Sequence, residues 1–298
     1  MENQRVALII PVHNRREITL SCLSQLRRDR IFEWATVIVV DDGSTDGTRA
    51  AIRADYPEVM VLEGDGHLWW TGAIALGMEY AVAAGAEFLI WLNDDCLVSA
   101  AAIADLVEFC RTTPKAIVGG QGYEKSDPTR LSFGGKRKTW RGFRFIEAPE
   151  ESVISCDLLS GNLVCFPRAV IEQIGYPDMT TAPHYAGDSL YLLKAQRCGF
   201  HLFVDGRHSV YNTTGESRLC PSDWLMTPGD PWQLIRLVFN PYSGLSWRVW
   251  WQINRQAYGL WGVVMFLKKY ASIVPLTILR CLPGGWRYRI FRQEKVGG

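Results

Sequence analysis

Several features that this 298-residue chain lacks narrow its class before any motif is read. Its eight cysteines include no Cys-x-x-Cys pair and no histidine companions at zinc-site spacing, so the thiols are expected to be buried and free. Charge of one sign is missing too: 32 Lys and Arg face 31 Asp and Glu for a net charge of +1, and nothing in that balance points to nucleic acid as a partner. Long apolar runs are absent. The longest, residues 261–267 and 270–279, are separated by Lys268 and Lys269, and Pro275 interrupts the second. Neither approaches the roughly 20 residues a helix needs to span a bilayer. Near the start, residues 6–10 and Val12 supply six apolar residues before His13, too few for the apolar region of a secretory signal, so a cytoplasmic location is expected. No internal repeat is visible. A chain of this length buries an ample core without staples, as one large α/β domain or one domain with an extension.

What the chain does contain is an alternation of short apolar runs with helical patterns, the signature of βαβ units around a mainly parallel sheet. Strands are expected at residues 6–10, 36–40, 59–62 and 87–92, with Pro11 to Asn14 breaking the first. Helices are expected at 16–28, at 45–56 with Asp46 as a cap, and at 72–84. A helix at 100–112 and a strand at 116–120 follow. Residues 121–150 are rich in Gly, Lys and Arg with little periodicity, which predicts a mobile connection. Residues 157–166 return to the core, residues 168–174 form a short helix, Gly187-Asp188 opens another, and 200–204 is a last strand.

Two acidic turns carry the chemistry. Asn93-Asp94-Asp95 ends the strand at 87–92, and Asp41-Asp42-Gly43-Ser44-Thr45-Asp46-Gly47 ends the strand at 36–40. Asn and Asp are ordinary turn and cap residues, and either motif alone reads as turn chemistry. Carboxylates delivered twice to the carboxyl edge of a parallel sheet also read as a ligand site, and hard divalent cations prefer such oxygens.

Four pieces in order, residues 10–14 (Ile-Pro-Val-His-Asn), the Asp41–Gly47 turn, Asn93-Asp94-Asp95 and Gly187-Asp188, resemble the family 2 glycosyltransferases over roughly residues 5–215. The resemblance implies the GT-A α/β fold, a mainly parallel mixed sheet flanked by helices, and inverting transfer of a sugar from a UDP- or dTDP-sugar with Mg2+ or Mn2+. It implies a catalytic domain at 1–220, with a nucleotide-binding half to about residue 98 and an acceptor half from about 99, and an extension at 221–298. Asp95 is the implied metal ligand, Asp94 orients the donor's ribose or the metal's waters, and Asn93 shapes the turn. Asp42 would accept from the base imide, with Pro11, His13 and Asn14 around the ring. Asp188 is the candidate general base, which an attacking hydroxyl requires within hydrogen-bond reach; it also reads as a helix cap. Gly161, Asn162, His184, Tyr185 and Gly187 are the candidate acceptor residues.

The chain departs from the family pattern in three places. Gly187 stands where relatives carry Glu, Ile74 and Ala75 replace an Arg-Asn pair, and Asn212, with His208 four residues earlier, stands where many have a metal-site His. With the Arg-Asn pair gone, backbone N–H groups at a helix start near Gly72 are left to hold the nucleotide. Past residue 221 the chain turns rich in Trp (Trp224, Trp232, Trp247, Trp250, Trp251, Trp261, Trp286) and in Lys and Arg. That composition suits either a membrane surface or a helix packed on the domain. A polyprenyl-diphosphate-linked or other glycan acceptor in cell-surface polysaccharide assembly, on the cytoplasmic face of an inner membrane, ties these features together. Two alternatives stand beside this reading: a sugar nucleotidyltransferase, which calls for a Gly-rich basic loop after the first strand that Pro11 to Asn14 does not provide, and a non-catalytic nucleotide-sugar-binding module at a membrane.

Overall fold

The apolar runs at residues 6–10, 36–40 and 87–92 form strands buried almost wholly on both faces, which is why they read as continuous rather than alternating, whereas the run at 59–62 forms a partly exposed edge strand. The computed structural model of the protein describes residues 5–213, Leu225 and residues 229–291. Its elements begin β1 (Val6–Val12), α1 (Arg16–Arg28), β2 (Ala35–Asp41), α2 (Thr48–Asp55), β3 (Met60–Glu63), α3 (Trp69–Ala83) and β4 (Phe88–Leu92). They continue β5 (Cys96–Leu97), α4 (Ala100–Thr112), β6 (Ala116–Glu124), β7 (Asp127–Phe133), β8 (Gly135–Thr139) and β9 (Gly142–Phe145). After these come β10 (Val153–Cys156), β11 (Leu158–Leu159), β12 (Leu163–Pro167), α5 (Ala169–Ile174), α6 (Gly187–Arg197) and β13 (His201–Asn212).

The main sheet has the order β10-β13-β6-β12-β4-β1-β2-β3, with β5 on β13 and β7 on β6. β1 runs parallel to β4 on one side and to β2 on the other, and β13 is parallel to β6. β12 is antiparallel to both β4 and β6, making the sheet mixed. β1 reaches past Pro11 to Val12 because its ladder to β4 stops at Ile9, so proline removes no partner on that side, while pairing with β2 continues to Asp41. β1, β2 and β4 all end at the same edge, which brings Pro11 to His13, Asp41-Asp42 and Asn93 to Asp95 together.

Residues 121–150 do not form the mobile connection expected of them. β6 extends to Glu124, β7 returns on it, and β8 and β9 join β11 in a second sheet of order β11-β8-β9. The ring of Phe133 lies where a side chain on Gly122 would stand, since a Cβ there would be 2.1 Å from its Cε1. Backbone ladders and one such contact hold these strands, neither of which leaves an apolar period in the sequence. β13 likewise runs eight residues beyond the Phe200-to-Val204 expectation, across a bulge between Asp205 and Ser209.

The chain divides into two compact units, Met1–Gly215 and Glu216–Gly298. In the second, α7 (Gln233–Phe239), α8 (Trp247–Arg280) and α9 (Gly284–Phe291) follow one another. α8 bends at Gly259 (φ 57°, ψ −128°) and then continues through Lys268, Lys269 and Pro275 to Arg280. The apolar segments that look divided in the sequence are therefore one helix, long and apolar enough by length and composition to cross a membrane. Five cysteines are buried as expected, whereas Cys198 is half-buried and Cys281 exposed. Cys220 and Trp224 lie outside the described residues.

Gly187 is explained by close approach. A Cβ there would stand 2.0 Å from Thr71 Oγ1 and 3.0 Å from Thr71 Cβ, and that hydroxyl donates to Ala182 O at 2.6 Å. Larger residues at this helix start collide with α3. We therefore expect Gly187→Ala to destabilise the fold by about 1–3 kcal/mol despite alanine's better helix propensity. Urea unfolding checks this, and an unchanged midpoint contradicts it.

Candidate active site

Adjacent carboxylates buried at a strand end need a counter-charge, and the chain supplies it from the residue after Asn14. Asp94, its side chain 1% exposed, receives a hydrogen bond from Thr19 Oγ1 on α1 at 2.9 Å, and its other oxygen lies 3.0 Å from Arg15 Nη1. Arg15 Nη2 donates to Asp95 Oδ2 at 3.0 Å. One guanidinium thus bridges both acids. Burial pushes the Asp94 carboxyl up to about 6, against the opposite pull of Arg15 and Thr19. Burial, with these carboxylates nearby, also pushes the Cys22 and Cys96 thiols up. A buried acid pair requires a cation nearby, but the sequence does not say which; the structure identifies Arg15.

Asn93 ties this corner to Asp188. Its N–H donates to Asn162 O at 2.8 Å, and its Oδ1 accepts from Trp70 Nε1 at 3.0 Å. Trp70 borders Gly161, where a Cβ would lie 3.0 Å from the indole and 2.7 Å from Asp188 Cβ. The Gly161 N–H donates to Asp188 Oδ2 at 2.7 Å, and Ser189 N–H to Oδ1 at 2.6 Å. Asp188 therefore sits in the first turn of α6, one residue inside the start, with its carboxylate oriented by two backbone donors. The loop before it is hung on Thr71, and Ala186 takes φ 62° there. His184 lies tilted against Trp69 (ring centroids 5.1 Å apart) and edge-on to Tyr185 (4.6 Å), and burial lowers its pKa.

At the end of β2, Asp42 Oδ1 accepts from Gly66 N (2.8 Å) and Leu68 N (3.2 Å), and Oδ2 from Trp69 N (2.8 Å). Its carboxylate caps the start of α3, leaving about one of its four acceptor positions. Gly72 is corrected: the helix begins three residues earlier, and the Gly72 N–H is spent on Leu68 O, so it is no open donor at a helix start. His13 Nδ1 contacts Asp42 O at 2.5 Å, and Asn14 stitches the two loops through Ser44 Oγ and Thr45 N. Pro11 is half-buried and His13 exposed at this edge. Asn212 pairs with Cys96 across β13 and β5, and its Nδ2 reaches Ser132 Oγ at 3.4 Å. His208 bonds Asp105 at 2.9 Å instead of joining the acid pair.

Whether a divalent cation suits these residues turns on the donor set. Mg2+ commonly takes one or two carboxylates and completes its shell with water and substrate phosphates. Asp95 beside Asp94 meets that requirement. Among the described residues no cluster of three or more His, Cys, Asp or Glu forms a cage for a metal. The set fits a cation shared with a bound diphosphate.

Residues 7–174 match the family model described as glycosyl transferase family 2. The galactofuranosyltransferase GlfT1 of Mycolicibacterium smegmatis is 28% identical over 183 residues, which is 58% of this chain and 60% of that protein, so the match spans under two thirds of the relative's length. In fold, the chain is similar to a mannosyltransferase of Pyrobaculum calidifontis solved with GDP-Man and Mn2+ (TM-score 0.54, 16% identity, covering 95% of this chain and 87% of that one). It is similar also to TarS of S. aureus (TM-score 0.57, 13% identity, covering 97% and 92%). Matched by the family model over more than half its length, and sharing the architecture of these structures, the chain belongs to glycosyl transferase family 2 and has the GT-A fold.

Proposed function

We propose that the enzyme moves a sugar, with inversion and with help from Mg2+ or Mn2+, from a UDP- or dTDP-sugar to a glycan or lipid-linked glycan acceptor in cell-surface polysaccharide assembly. The observation that carries this reading is the continuous wall from Asp95 through Asn93, Trp70 and Gly161 to Asp188, which joins a cation-binding carboxylate to a held base. The galactofuranosyltransferase relative and the neighbour solved with GDP-Man and Mn2+ are of the same chemical kind.

In this reading residues 1–98 bind the nucleotide, about 99–220 the acceptor, and 221–298 form the extension. Pro11 and His13 flank the base, Asn14 holds the loops around it, and Asp42 fixes the Gly66-to-Trp69 segment while offering its remaining acceptor position. A cation on Asp95 supplies neutralisation of the charge that gathers on the departing diphosphate. Asn93 keeps the turn, and Asp94 anchors it through Thr19. Asp188 accepts the proton of the acceptor hydroxyl as that oxygen attacks the anomeric carbon from the face opposite the diphosphate. The Gly161 and Ser189 N–H groups hold the base in place, with Asn162, His184 and Tyr185 around the acceptor. Gly187 contributes room, not charge: Thr71 occupies the space a Glu would need.

The second unit suits the surface of an anionic membrane on the cytoplasmic side. Leu260, Val264, Leu267, Ala271, Val274 and Ile278 recur at four- and three-residue spacing along α8 and are exposed, Leu260 at 90% and Ile278 at 64%. Residues 231–293 contain Lys and Arg but no acid, which opposes self-pairing of this face and favours anionic lipid.

Asp188→Asn is expected to keep donor affinity and lose transfer by about 10²-fold or more, measured as product per nucleotide released; unchanged transfer removes Asp188 from the mechanism. Asp95→Ala is expected to abolish the dependence of donor binding on Mn2+ in calorimetry, and an unaltered metal requirement refutes its role. The protein is expected to sediment with phosphatidylglycerol vesicles but not with phosphatidylcholine vesicles, and Leu267→Glu with Ile278→Glu to release it. Equal sedimentation of both forms, or a dimer that the double variant breaks, counts against the lipid surface.

A further inference from the structure

Arg15 is the element of the acid corner that the proposed chemistry leaves unused. We propose that Arg15 is the resident counter-ion of the Asp94–Asp95 pair, competing with the divalent cation for Asp95, so that the cation binds tightly only together with a nucleoside diphosphate. This rests on the reading of Asp95 as the cation's ligand.

The two acids are unequal partners of the guanidinium. Asp94 is fixed: its side chain is 1% exposed, and its second oxygen is held by Thr19, itself fully buried. The Asp95 side chain is 9% exposed at the open end of the turn. Arg15 keeps 34% of its side chain exposed, on a flexible stem, so its Asp95 contact at 3.0 Å can open while its Asp94 contact, also at 3.0 Å, is kept.

Charge then decides the order of binding. Arg15 places a positive charge 3.0 Å from the Asp95 oxygen that a dication would use, and so weakens the attraction of the pair for it. A diphosphate brings the missing negative charge and further oxygens, and gives the displaced guanidinium a partner of suitable geometry. Cation and nucleotide therefore raise each other's affinity, as any such coupling must be reciprocal. Arg15 acts as a positioning residue and sets the strength of that coupling.

The test is direct Mn2+ binding to the full chain, read as free Mn2+ by electron paramagnetic resonance, with and without UDP. For Arg15→Gln the expectation is Mn2+ affinity without UDP about ten-fold or more above wild type, with a smaller gain on adding UDP. Arg15→Lys keeps one charge but cannot bridge both acids, and is expected to fall between. Should Arg15→Gln fail to fold in a thermal melt, the Lys variant decides: an affinity equal to wild type overturns the inference. An Arg15→Gln affinity equal to or below wild type overturns it as well. If those affinities are equal yet Asp95→Ala abolishes Mn2+ binding, only the role of Arg15 falls. If no form binds Mn2+ with or without UDP, the ligand reading of Asp95 falls and takes this inference with it.

Discussion

Two carboxylates lie side by side at the buried end of β4, and the rest of the site depends on how their charge is met. Removing one partner from such a buried group costs about 3–5 kcal/mol, because the remaining charge has no water to turn to. Arg15 meets it from the loop after β1, and Thr19 holds the deeper acid from the first helix. The charge pair thereby ties together the loops that follow the first and fourth strands. A cation strong enough to satisfy buried acids in the free enzyme is also strong enough to obstruct a metal, so stability and metal affinity pull against each other at the same oxygens.

A second constraint is steric. α3 and the start of α6 approach so closely at Thr71 and Gly187 that no side chain fits, and Gly161 is pressed in the same way between Trp70 and Asp188. These two contacts set the base relative to Asn93, and so relative to the acid pair. The missing Glu before Asp188 then follows from the packing of this chain and says nothing against catalysis. The loop of residues 66–69, taken up by Asp42, shows the same economy: a carboxylate at the carboxyl edge of the sheet serves to shape the segment beside it.

Much of the architecture could be read from the chain because strands buried on both faces announce themselves as apolar runs. β1, β2 and β4, and the carboxylates at their ends, needed nothing more. The strands between residues 121 and 145 were illegible, since ladders of backbone hydrogen bonds around Gly122 and Phe133 leave no period in the side chains. Arg15 was illegible for another reason. One of two adjacent arginines at the start of an amphipathic helix looks like any solvated residue until the partner 80 positions away is known. Gly72 misled because the helix start had moved to Trp69, whose N–H answers to Asp42 rather than to helix propensity. In α8 the lysine pair and proline suggested a break, while one side of the helix kept its apolar spacing straight through both.

The account's central claim is that one corner, Asp94, Asp95 and Arg15, exchanges an internal cation for a metal carried with the donor. Diffraction at the manganese edge from crystals grown with UDP and Mn2+ tests it most directly. The predicted result is an anomalous peak at Asp95, with Arg15 still on Asp94 and withdrawn from Asp95. Bound UDP with no metal peak, and Arg15 still bridging both carboxylates, would contradict it.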